Sequence, residues 1–284
     1  PAIICESTAT TVVEPGWRAE FNDFGHLLLT RVAPLPRRQA VGTEADPVML
    51  EVFNNLFGAI AEQMGVALRN TAYSVNIKER LDFSCALFDR RGRLIANAPL
   101  VPVHLGSMGT SVRAVIERRA GRMRPGEVYM LNNPYAGGTH LPDITVITPV
   151  FGDDGGEPLF FVASRGHHAD VGGITPGSMP PASRHIEEEG ILIDDFLLVE
   201  NGELREREVR ALFGAGPYPA RNIEQNLSDL RAQIAANEKG VQELRKMVAQ
   251  FGLAVVQAYM EHVRANAEEQ VRREIGRASC RERV

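Results

Sequence analysis

The pattern of apolar and polar positions divides the chain into strand-like and helix-like regions. Apolar and β-branched residues dominate 144–151 and 159–163, and a turn rich in Gly and Asp at 152–156 joins them. Runs of this kind, bounded by turn residues, predict two buried strands in a hairpin. Shorter runs predict further strands at 81–87, 94–96, 191–193 and 196–199.

Two regions show the periodicity of helices. Asp46 and Pro47 have the residue types of an N-cap and a first helical position. The apolar stripe that follows comprises Met49, Val52, Phe53, Leu56, Ile60, Met64 and Leu68. From residue 223 to 255 apolar residues recur at steps of three and four, and Gly252 is a predicted helix end. We therefore expect an α+β fold with mixed sheets, packed helices and a C-terminal helical hairpin.

Composition excludes several classes of function. The chain has 284 residues and 44% hydrophobic content, so it can bury a substantial core. A net charge of −5, with both signs dispersed, gives no footprint for nucleic acid or an acidic membrane. No apolar run is long enough to span a bilayer, and the first residues do not form a signal peptide. The three cysteines are widely separated, which favours a reduced, cytosolic protein without a cysteine metal site.

Three of the seven histidines lie in two clusters at the ends of the predicted hairpin. His140 and Asp143 precede its first strand, and His167, His168 and Asp170 follow its second strand. Because a hairpin returns the chain to its starting end, the clusters should be adjacent. Two imidazoles and one or two carboxylates suit Mn, Fe or Zn with positions open to substrate. The alternative is that the histidines cap loops and the aspartates accept hydrogen bonds in turns.

Other polar residues have ordinary structural explanations. His104 is a lone histidine among apolar residues, which is typical of a hydrogen-bonded core residue. Cys85 lies in an apolar run without a cationic neighbour in sequence and is interpreted as a packed thiol. The glutamates at 187–189 are expected in a solvated turn, with a further site carboxylate as the alternative.

The histidine clusters also carry a resemblance to a known family. The motifs are Asn-Pro-Tyr at 133–135, Gly-Thr-His-Leu-Pro-Asp at 138–143, Arg-Gly-His-His-Ala-Asp-Val-Gly-Gly at 165–173 and Pro-Gly-Ser-Met-Pro at 176–180. Together they resemble the hydantoinase B/5-oxoprolinase family, and the similarity continues through most of residues 47–274. The resemblance implies a metal held by His140, Asp143 and His167. His168 is the less expected ligand, and the loop between the clusters leaves this choice open. The resemblance also makes His104 a candidate to line the site.

The resemblance implies an ATP-dependent enzyme that opens 5-oxoproline to glutamate, or opens a hydantoin. The metal would be Mn, Fe, Zn or Mg, and Asp170 or His168 would orient a ligand or shuttle a proton. The candidate substrate-binding residues are Asn133, Tyr135, Arg165, Arg221, Asn226 and Asp229. ATP would be bound by a hydantoinase A-like half, because no Gly-x-x-x-x-Gly-Lys-Ser/Thr loop occurs in this chain.

The expected partners are that A-like half, in cis or as a subunit, and a small lactam. A homo-oligomer is expected, without nucleic acid or membrane. Two alternatives stay open at this point. The family also includes subunits of ATP-dependent ketone carboxylases, and a non-catalytic scaffold could use the histidines structurally while docking the ATP-using half.

The predicted domain organisation is that of a fragment of a fused 5-oxoprolinase. Residues 1–33 resemble the C-terminal end of the hydantoinase A-like half, with strands at 10–13 and 26–30; an ordinary β-hairpin is the alternative. Residues 34–46 form a linker, and 47–274 form the N-terminal part of the hydantoinase B domain. Residues 275–284 look like a translated sequencing adaptor, with a genuine basic helix tail as the alternative. The chain lacks an initiator Met, and we expect it to be inactive by itself.

Overall fold

The chain folds into two compact units, Pro1–Gly42 and Thr43–Val284. The computed structural model describes residues 1–33, 41–98 and 101–281, with side chains described as far as residue 275. The boundary between the units falls in the predicted linker, of which residues 34–40 lie outside the described residues. The assignment of the first unit to a hydantoinase A-like half stays a prediction.

The first unit consists of two antiparallel strand pairs. Its strands are β1 (Ala2–Cys5), β2 (Thr10–Val13), β3 (Trp17–Phe21) and β4 (Leu27–Arg31). β1 pairs with β2, and β3 pairs with β4. The predicted turn at 14–17 therefore connects two different pairs rather than closing one hairpin. The sequence pattern missed β3 because charged residues, Arg18 and Glu20, occupy alternate positions of this exposed strand.

The second unit contains a seven-stranded sheet. Its strands are β5 (Phe83–Asp89), β6 (Leu94–Asn97), β7 (Val128–Leu131), β8 (Asp143–Val150), β9 (Phe160–His167), β10 (Phe196–Glu200) and β11 (Glu203–Leu204). They lie in the order β11-β10-β7-β8-β9-β5-β6, and each described pairing is antiparallel where mixed sheets were predicted. The predicted β8–β9 hairpin and the α+β class are confirmed.

One predicted strand is wrong. Residues 191–193 contain no strand, although their composition is apolar. The buried side chain of Asn132 accepts a hydrogen bond from the Ile193 amide at 2.7 Å and donates one to the Ile191 carbonyl at 2.8 Å. The amide side chain therefore satisfies two backbone groups of this segment. The Ile193 carbonyl accepts from the Asn132 and Asn133 amides, and the Ile191 amide donates to the Val171 carbonyl.

Helices pack around this sheet. They are α1 (Pro47–Thr71), α2 (Val75–Lys78), α3 (Pro102–Arg118), α4 (Glu206–Phe213), α5 (Ile223–Phe251) and α6 (Leu253–Arg281), with short 3₁₀ turns at Pro134–Ala136 and Ile186–Glu188. The Asp46 side chain accepts from the Met49 amide, which confirms the predicted cap of α1. Val52 and Leu56 are exposed, because the buried stripe of α1 instead follows Phe53, Phe57, Ile60, Met64 and Leu68.

The C-terminal part of the chain forms two helices, as predicted. Gly252, with φ of 86°, separates α5 from α6. The backbone of α6 continues through Arg281, so residues 275–281 extend the helix, and their origin stays a prediction. No helix among the described residues has both the length and the apolar character needed to cross a membrane.

The two faces of the sheet bury different cores. One face packs Ala86, Phe88, Ile147, Phe161 and Ala163 against Met108 and Val112 of α3. The opposite face packs Ile144 and Val146 against Leu227 and Leu230 of α5. Alternate residues of a strand point to opposite faces. Odd-numbered residues of β8 and β9 therefore face α3, and even-numbered residues face α5.

Candidate metal centre

The candidate site lies where three neighbouring strands begin or end at one edge of the sheet. Asp143 is the first residue of β8 and lies opposite His167, the last residue of β9. Asp82 immediately precedes β5, and its carbonyl accepts from the His167 amide at 3.0 Å. His140 lies in the turn before β8, where its carbonyl accepts from the Asp143 amide at 3.0 Å. Antiparallel pairing thus brings both histidine clusters to one edge.

Three side chains converge at this edge, and we call His140, Asp143 and His167 the triad. The His140 Nδ1 atom is 2.7 Å from Asp143 Oδ2, and His167 Nδ1 is 3.2 Å from Asp143 Oδ1. The imidazole centroids are 4.9 Å apart. One possible ligand atom from each residue lies within 4.8 Å of the other two. Two nitrogens and a carboxylate oxygen form a donor set that suits a divalent transition metal.

The electrostatics of the triad keep its carboxylate ionised. Burial by itself would raise the pKa of Asp143, but hydrogen bonds from His104, His140 and His167 lower it well below the ordinary range. The hydrogen bond to Asp143 raises the pKa of His140, while burial opposes that shift. The Asp143 and His167 side chains are nearly enclosed, whereas 38% of the His140 side chain is exposed. The triad is therefore open to solvent on the His140 side.

The structure separates the two adjacent histidines that sequence left as alternatives. His167 shares a face of the sheet with Asp143, whereas His168 points to α5. Its Nε2 atom is 3.0 Å from Gln233 Oε1, and its Nδ1 atom is 3.2 Å from Asn226 Nδ2. Burial lowers the pKa of His168 and favours the neutral ring. Both ring nitrogens are engaged away from the triad, so this geometry gives no support to His168 as a proton shuttle.

Asp170 also lies apart from the triad, in the loop after β9. Its carboxylate accepts from Arg221 Nη1 at 2.7 Å and from the amides of Arg221, Gly172 and Gly177. Its carbonyl accepts from Asn226 Nδ2 at 2.9 Å. Asp170, Arg221 and Asn226 thus tie this loop to the start of α5. The predicted catalytic role of Asp170 and the substrate roles of Arg221 and Asn226 find no support in this arrangement.

Arg165 lies on the α3 face, two residues before His167, and is fully buried. Its guanidinium donates to Thr145 Oγ1 at 2.8 Å, Ser107 Oγ at 2.5 Å, Ser111 Oγ at 2.9 Å and the Gly137 carbonyl at 2.8 Å. Burial lowers the pKa of Arg165 to about 10, against the opposing charge of Asp143. The guanidinium therefore stays charged at neutral pH and links α3 to the loop before His140. Its binding of substrate stays a prediction.

The other predicted substrate-binding residues are dispersed. The Asn133 side chain accepts from the Tyr135 amide at 2.9 Å, and the Tyr135 side chain is exposed. Asp229 is buried in α5 and accepts from the amides of Tyr73 and Ser74, beyond the end of α1. Their hydrogen bonds described here lead to partners other than the triad, and their substrate-binding roles stay predictions.

Sequence reasoning missed two neighbours of the triad, Thr139 and Asp82, and named a third, His104, only as a candidate to line the site. His104 Nε2 is 3.2 Å from Asp143 Oδ2, the Thr139 hydroxyl donates to the same oxygen, and Asp82 Oδ2 is 3.6 Å from His167 Nδ1. His104 was interpreted mainly as a hydrogen-bonded core residue, and it is buried and hydrogen-bonded as that interpretation requires. Its partner could not be identified without the position of α3. Asp82 carried only the signal of a carboxylate near the start of the strand predicted at 81–87.

Comparisons with known proteins place the chain in a family. The family model described as Hydantoinase B/oxoprolinase matches residues 46–283. The chain is 50% identical over 273 residues to a 5-oxoprolinase of Dictyostelium discoideum and 49% identical over 283 residues to 5-oxoprolinase 1 of Arabidopsis thaliana. Each alignment covers 96% of this chain, which spans about a fifth of these relatives, 21% and 22% respectively.

A solved structure shares the fold. The ATP-dependent caprolactamase of Pseudomonas jessenii superimposes with a TM-score of 0.72 at 27% identity, covering 80% of this chain and 38% of that chain. The sequence match over most of the chain, together with this structural likeness, identifies the family implied by the histidine motifs. The chain belongs to the hydantoinase B/oxoprolinase family.

Proposed function

We propose that this chain contributes the ring-opening site of an ATP-dependent hydrolase of cyclic amides, with 5-oxoproline or a hydantoin as substrate. The convergence of His140, Asp143 and His167 at one edge of the sheet carries the proposal. The similarity to two 5-oxoprolinases, and to a caprolactamase whose name states ATP dependence, supports the reaction class.

The proposed reaction divides between two sites. An unstrained lactam is a poor electrophile, because attack on its carbonyl carbon must overcome amide resonance. Transfer of a phosphoryl group from ATP to the carbonyl oxygen would withdraw electron density from the carbonyl carbon and make it a better electrophile. We assign that step to the hydantoinase A-like half, in cis or as a partner subunit. The present chain would receive the activated ring. Water would add to the carbonyl carbon, and the ring C–N bond would then break as its nitrogen takes up a proton. Hydrolysis of the resulting acyl phosphate by a second water would release phosphate.

The triad would hold a divalent ion, Mn, Fe, Zn or Mg, and two histidines favour the first three. Such an ion would supply Lewis acidity to a substrate oxygen and lower the pKa of a water molecule. Asp143 contributes a carboxylate that stays ionised, and the partly exposed His140 marks the side from which substrate would enter. Arg165 fixes the Gly137 end of the loop that carries His140, so it would keep this ligand in place.

The test measures metal content and ring opening in the same preparations of the full-length enzyme. We expect about one divalent ion per chain by elemental analysis, and we expect His140→Ala and His167→Ala to remove both the ion and ATP-dependent ring opening. His168→Ala is the matched control, because this neighbouring imidazole faces α5, and it should keep the metal. Full activity in demonstrably metal-free protein would contradict the proposal.

A substrate panel separates this proposal from its alternatives. ATP hydrolysis would be assayed with 5-oxoproline, a hydantoin, larger lactams and simple ketones with bicarbonate. Stimulation by the cyclic amides is the expected result. Stimulation by ketones alone would indicate a carboxylase. A folded protein that binds no metal and responds to no substrate would indicate a scaffold. A homo-oligomer and a cytosolic location remain part of the proposal.

A further inference from the structure

We propose that His104 is a positioning residue for Asp143, and that Ser84 acts behind it by fixing the orientation of the His104 ring. The inference rests on the proposed metal site, because it concerns how the carboxylate of the triad is presented to an ion. None of the sequence motifs that identify the family includes either residue.

Two hydrogen bonds connect three side chains in series. His104 lies in the first turn of α3, with 1% of its surface exposed. Its Nε2 atom is 3.2 Å from Asp143 Oδ2, and its Nδ1 atom is 3.1 Å from Ser84 Oγ. Ser84 lies in β5 and is fully buried. Elements distant in sequence therefore meet on one side of the Asp143 carboxylate.

Hydrogen-bond chemistry indicates which atom donates in each of these two hydrogen bonds. A carboxylate that ligates a metal accepts hydrogen bonds, so the donor between His104 Nε2 and Asp143 Oδ2 is Nε2. In the tautomer that carries its hydrogen on Nε2, the Nδ1 atom is an acceptor to which the Ser84 hydroxyl can donate. Ser84 therefore favours the tautomer in which His104 donates to Asp143. The same arrangement, in which a second residue orients a metal ligand, is common around protein metal sites.

The consequence for Asp143 is a fixed carboxylate plane. Oδ2 accepts from the Thr139 hydroxyl and from His104, and it also contacts His140. Oδ1 lies toward His167 Nδ1 at 3.2 Å. Rotation of the carboxylate would break the bonds to Thr139 and His104 together. The Thr139 hydroxyl and His104 thus hold the Asp143 carboxylate between the imidazoles of His140 and His167.

Ser84, His104 and Asp143 have the composition of a hydrolytic triad, but their burial assigns a different role. Ser84 is 0% exposed and His104 is 1% exposed, so no substrate carbonyl can reach the serine hydroxyl. Ser84 Oγ lies 3.1 Å from His104 Nδ1 beneath α3. We therefore assign the set to positioning of the carboxylate.

The test measures the dissociation constant of Mn²⁺ by titration calorimetry on metal-depleted full-length enzyme. His104→Leu removes the donor to Asp143 and should weaken Mn²⁺ binding by about 10- to 100-fold. His104→Gln places an amide donor near the former Nε2 position and should restore the affinity to within about threefold of the parent. Ser84→Ala removes the hydroxyl that fixes the tautomer of the His104 ring. It should weaken Mn²⁺ binding less than His104→Leu does.

Matched controls separate positioning from general destabilisation. His168→Leu removes another buried imidazole, and Ser164→Ala removes another buried serine hydroxyl; both residues face α5. Either change can lower the unfolding temperature, but neither should change the Mn²⁺ dissociation constant. Because Ser84 acts only through His104, the double variant Ser84→Ala/His104→Leu should match His104→Leu alone.

The outcomes distinguish this inference from the proposed function. If the parent enzyme binds no Mn²⁺ at the triad, the proposed metal site and this inference both fail. If the parent binds Mn²⁺ and folded His104→Leu binds it equally well, only the positioning role is overturned. If His104→Leu does not fold, unchanged affinity in Ser84→Ala or severe loss in His104→Gln overturns the role instead.

Discussion

His167 and His168 are neighbours in the chain, yet their imidazoles lie on opposite faces of the sheet. Of these two histidines, His167 is the one that contacts Asp143, because β9 is pleated and Asp143 occupies the paired position in β8. His168 instead becomes part of the amide network of α5. At the scale of single residues, one position along a strand decides between a candidate metal ligand and a core hydrogen bond.

Arg165 is the residue whose replacement should cost the most near the triad. Arg165→Leu would leave the Thr145, Ser107 and Ser111 hydroxyls and the Gly137 carbonyl without their donor. Unpaired buried polar groups should lower the free energy of unfolding by about 3 kcal/mol or more. Chemical denaturation of the metal-free protein measures this change.

Two further variants make the Arg165 prediction specific. Arg165→Lys keeps the charge but cannot reproduce the fork of donors, so it should still lose about 2 kcal/mol. Arg207, whose side chain is 91% exposed, is the control, and Arg207→Ala should change stability by about 0.5 kcal/mol or less. Equal stability of Arg165→Leu and Arg207→Ala would show that the buried network contributes little.

At the scale of elements, the loop from β7 to β8 delivers His140 to the site. Asn132 donates to the Leu141 carbonyl at 2.7 Å, and Arg165 donates to the Gly137 carbonyl at 2.8 Å. The loop passes so close to β7 that a Cβ atom on Gly138 would lie 2.2 Å from the Asn132 carbonyl oxygen. Backbone contact therefore requires glycine at this position.

Gly138→Ala should displace this loop and with it Thr139 and His140. We expect the free energy of unfolding to fall by about 2 kcal/mol, because the obstructing atom belongs to the backbone. The affinity for divalent metal should fall in parallel. Thermal unfolding and metal titration of the same variant measure both effects.

Gly58 in α1 provides the contrasting substitution, since a Cβ atom there would meet nothing within 4 Å. Gly58→Ala should raise the free energy of unfolding by about 0.5–1 kcal/mol through helix propensity, without changing metal affinity. A Gly138→Ala protein as stable as the parent would contradict the close approach seen in this loop.

At the scale of the whole molecule, the triad connects several elements of the second unit. Its residues belong to the β7–β8 loop, β8 and β9. The neighbour His104 belongs to α3, and the neighbour Asp82 immediately precedes β5. An ion bound there would bind the folded state and not the unfolded chain. Metal binding at the proposed site would therefore be coupled to the stability of the whole unit.

Divalent metal should raise the unfolding temperature of the second unit. At about 100 times the dissociation constant, ligand binding adds about 2.7 kcal/mol, which corresponds to a shift of about 5–10 °C for a domain of this size. A chelator should reverse the shift, and His140→Ala should abolish it. His26→Ala, in an exposed part of the first unit, should leave it intact. Calorimetry that finds the same shift in His140→Ala would place the ion elsewhere.

The amino-acid sequence alone determined the hairpin, the cap of α1, the break at Gly252 and the meeting of two histidine clusters. These features depend on local preferences and on residues joined by one short connection, so a pattern along the chain can predict them. The resemblance to the family rests on the same contiguous motifs. The sequence also misplaced a strand at 191–193, because the apolar pattern could not reveal that Asn132 would satisfy that backbone.

Only the tertiary structure decided which neighbours surround the triad. His104 lies 39 residues before Asp143 in the sequence, and Ser84 lies 59 residues before it. No motif or periodicity of the sequence connects these positions. The packing of α3 on β5, β8 and β9 brings them together. The pleat of β9 sends His168 to the opposite face of the sheet, where it contacts Asn226 of α5. Asp170 lies in the following loop, where its partner is Arg221. Contacts between distant segments are set by the fold, and local spacing contains no record of them.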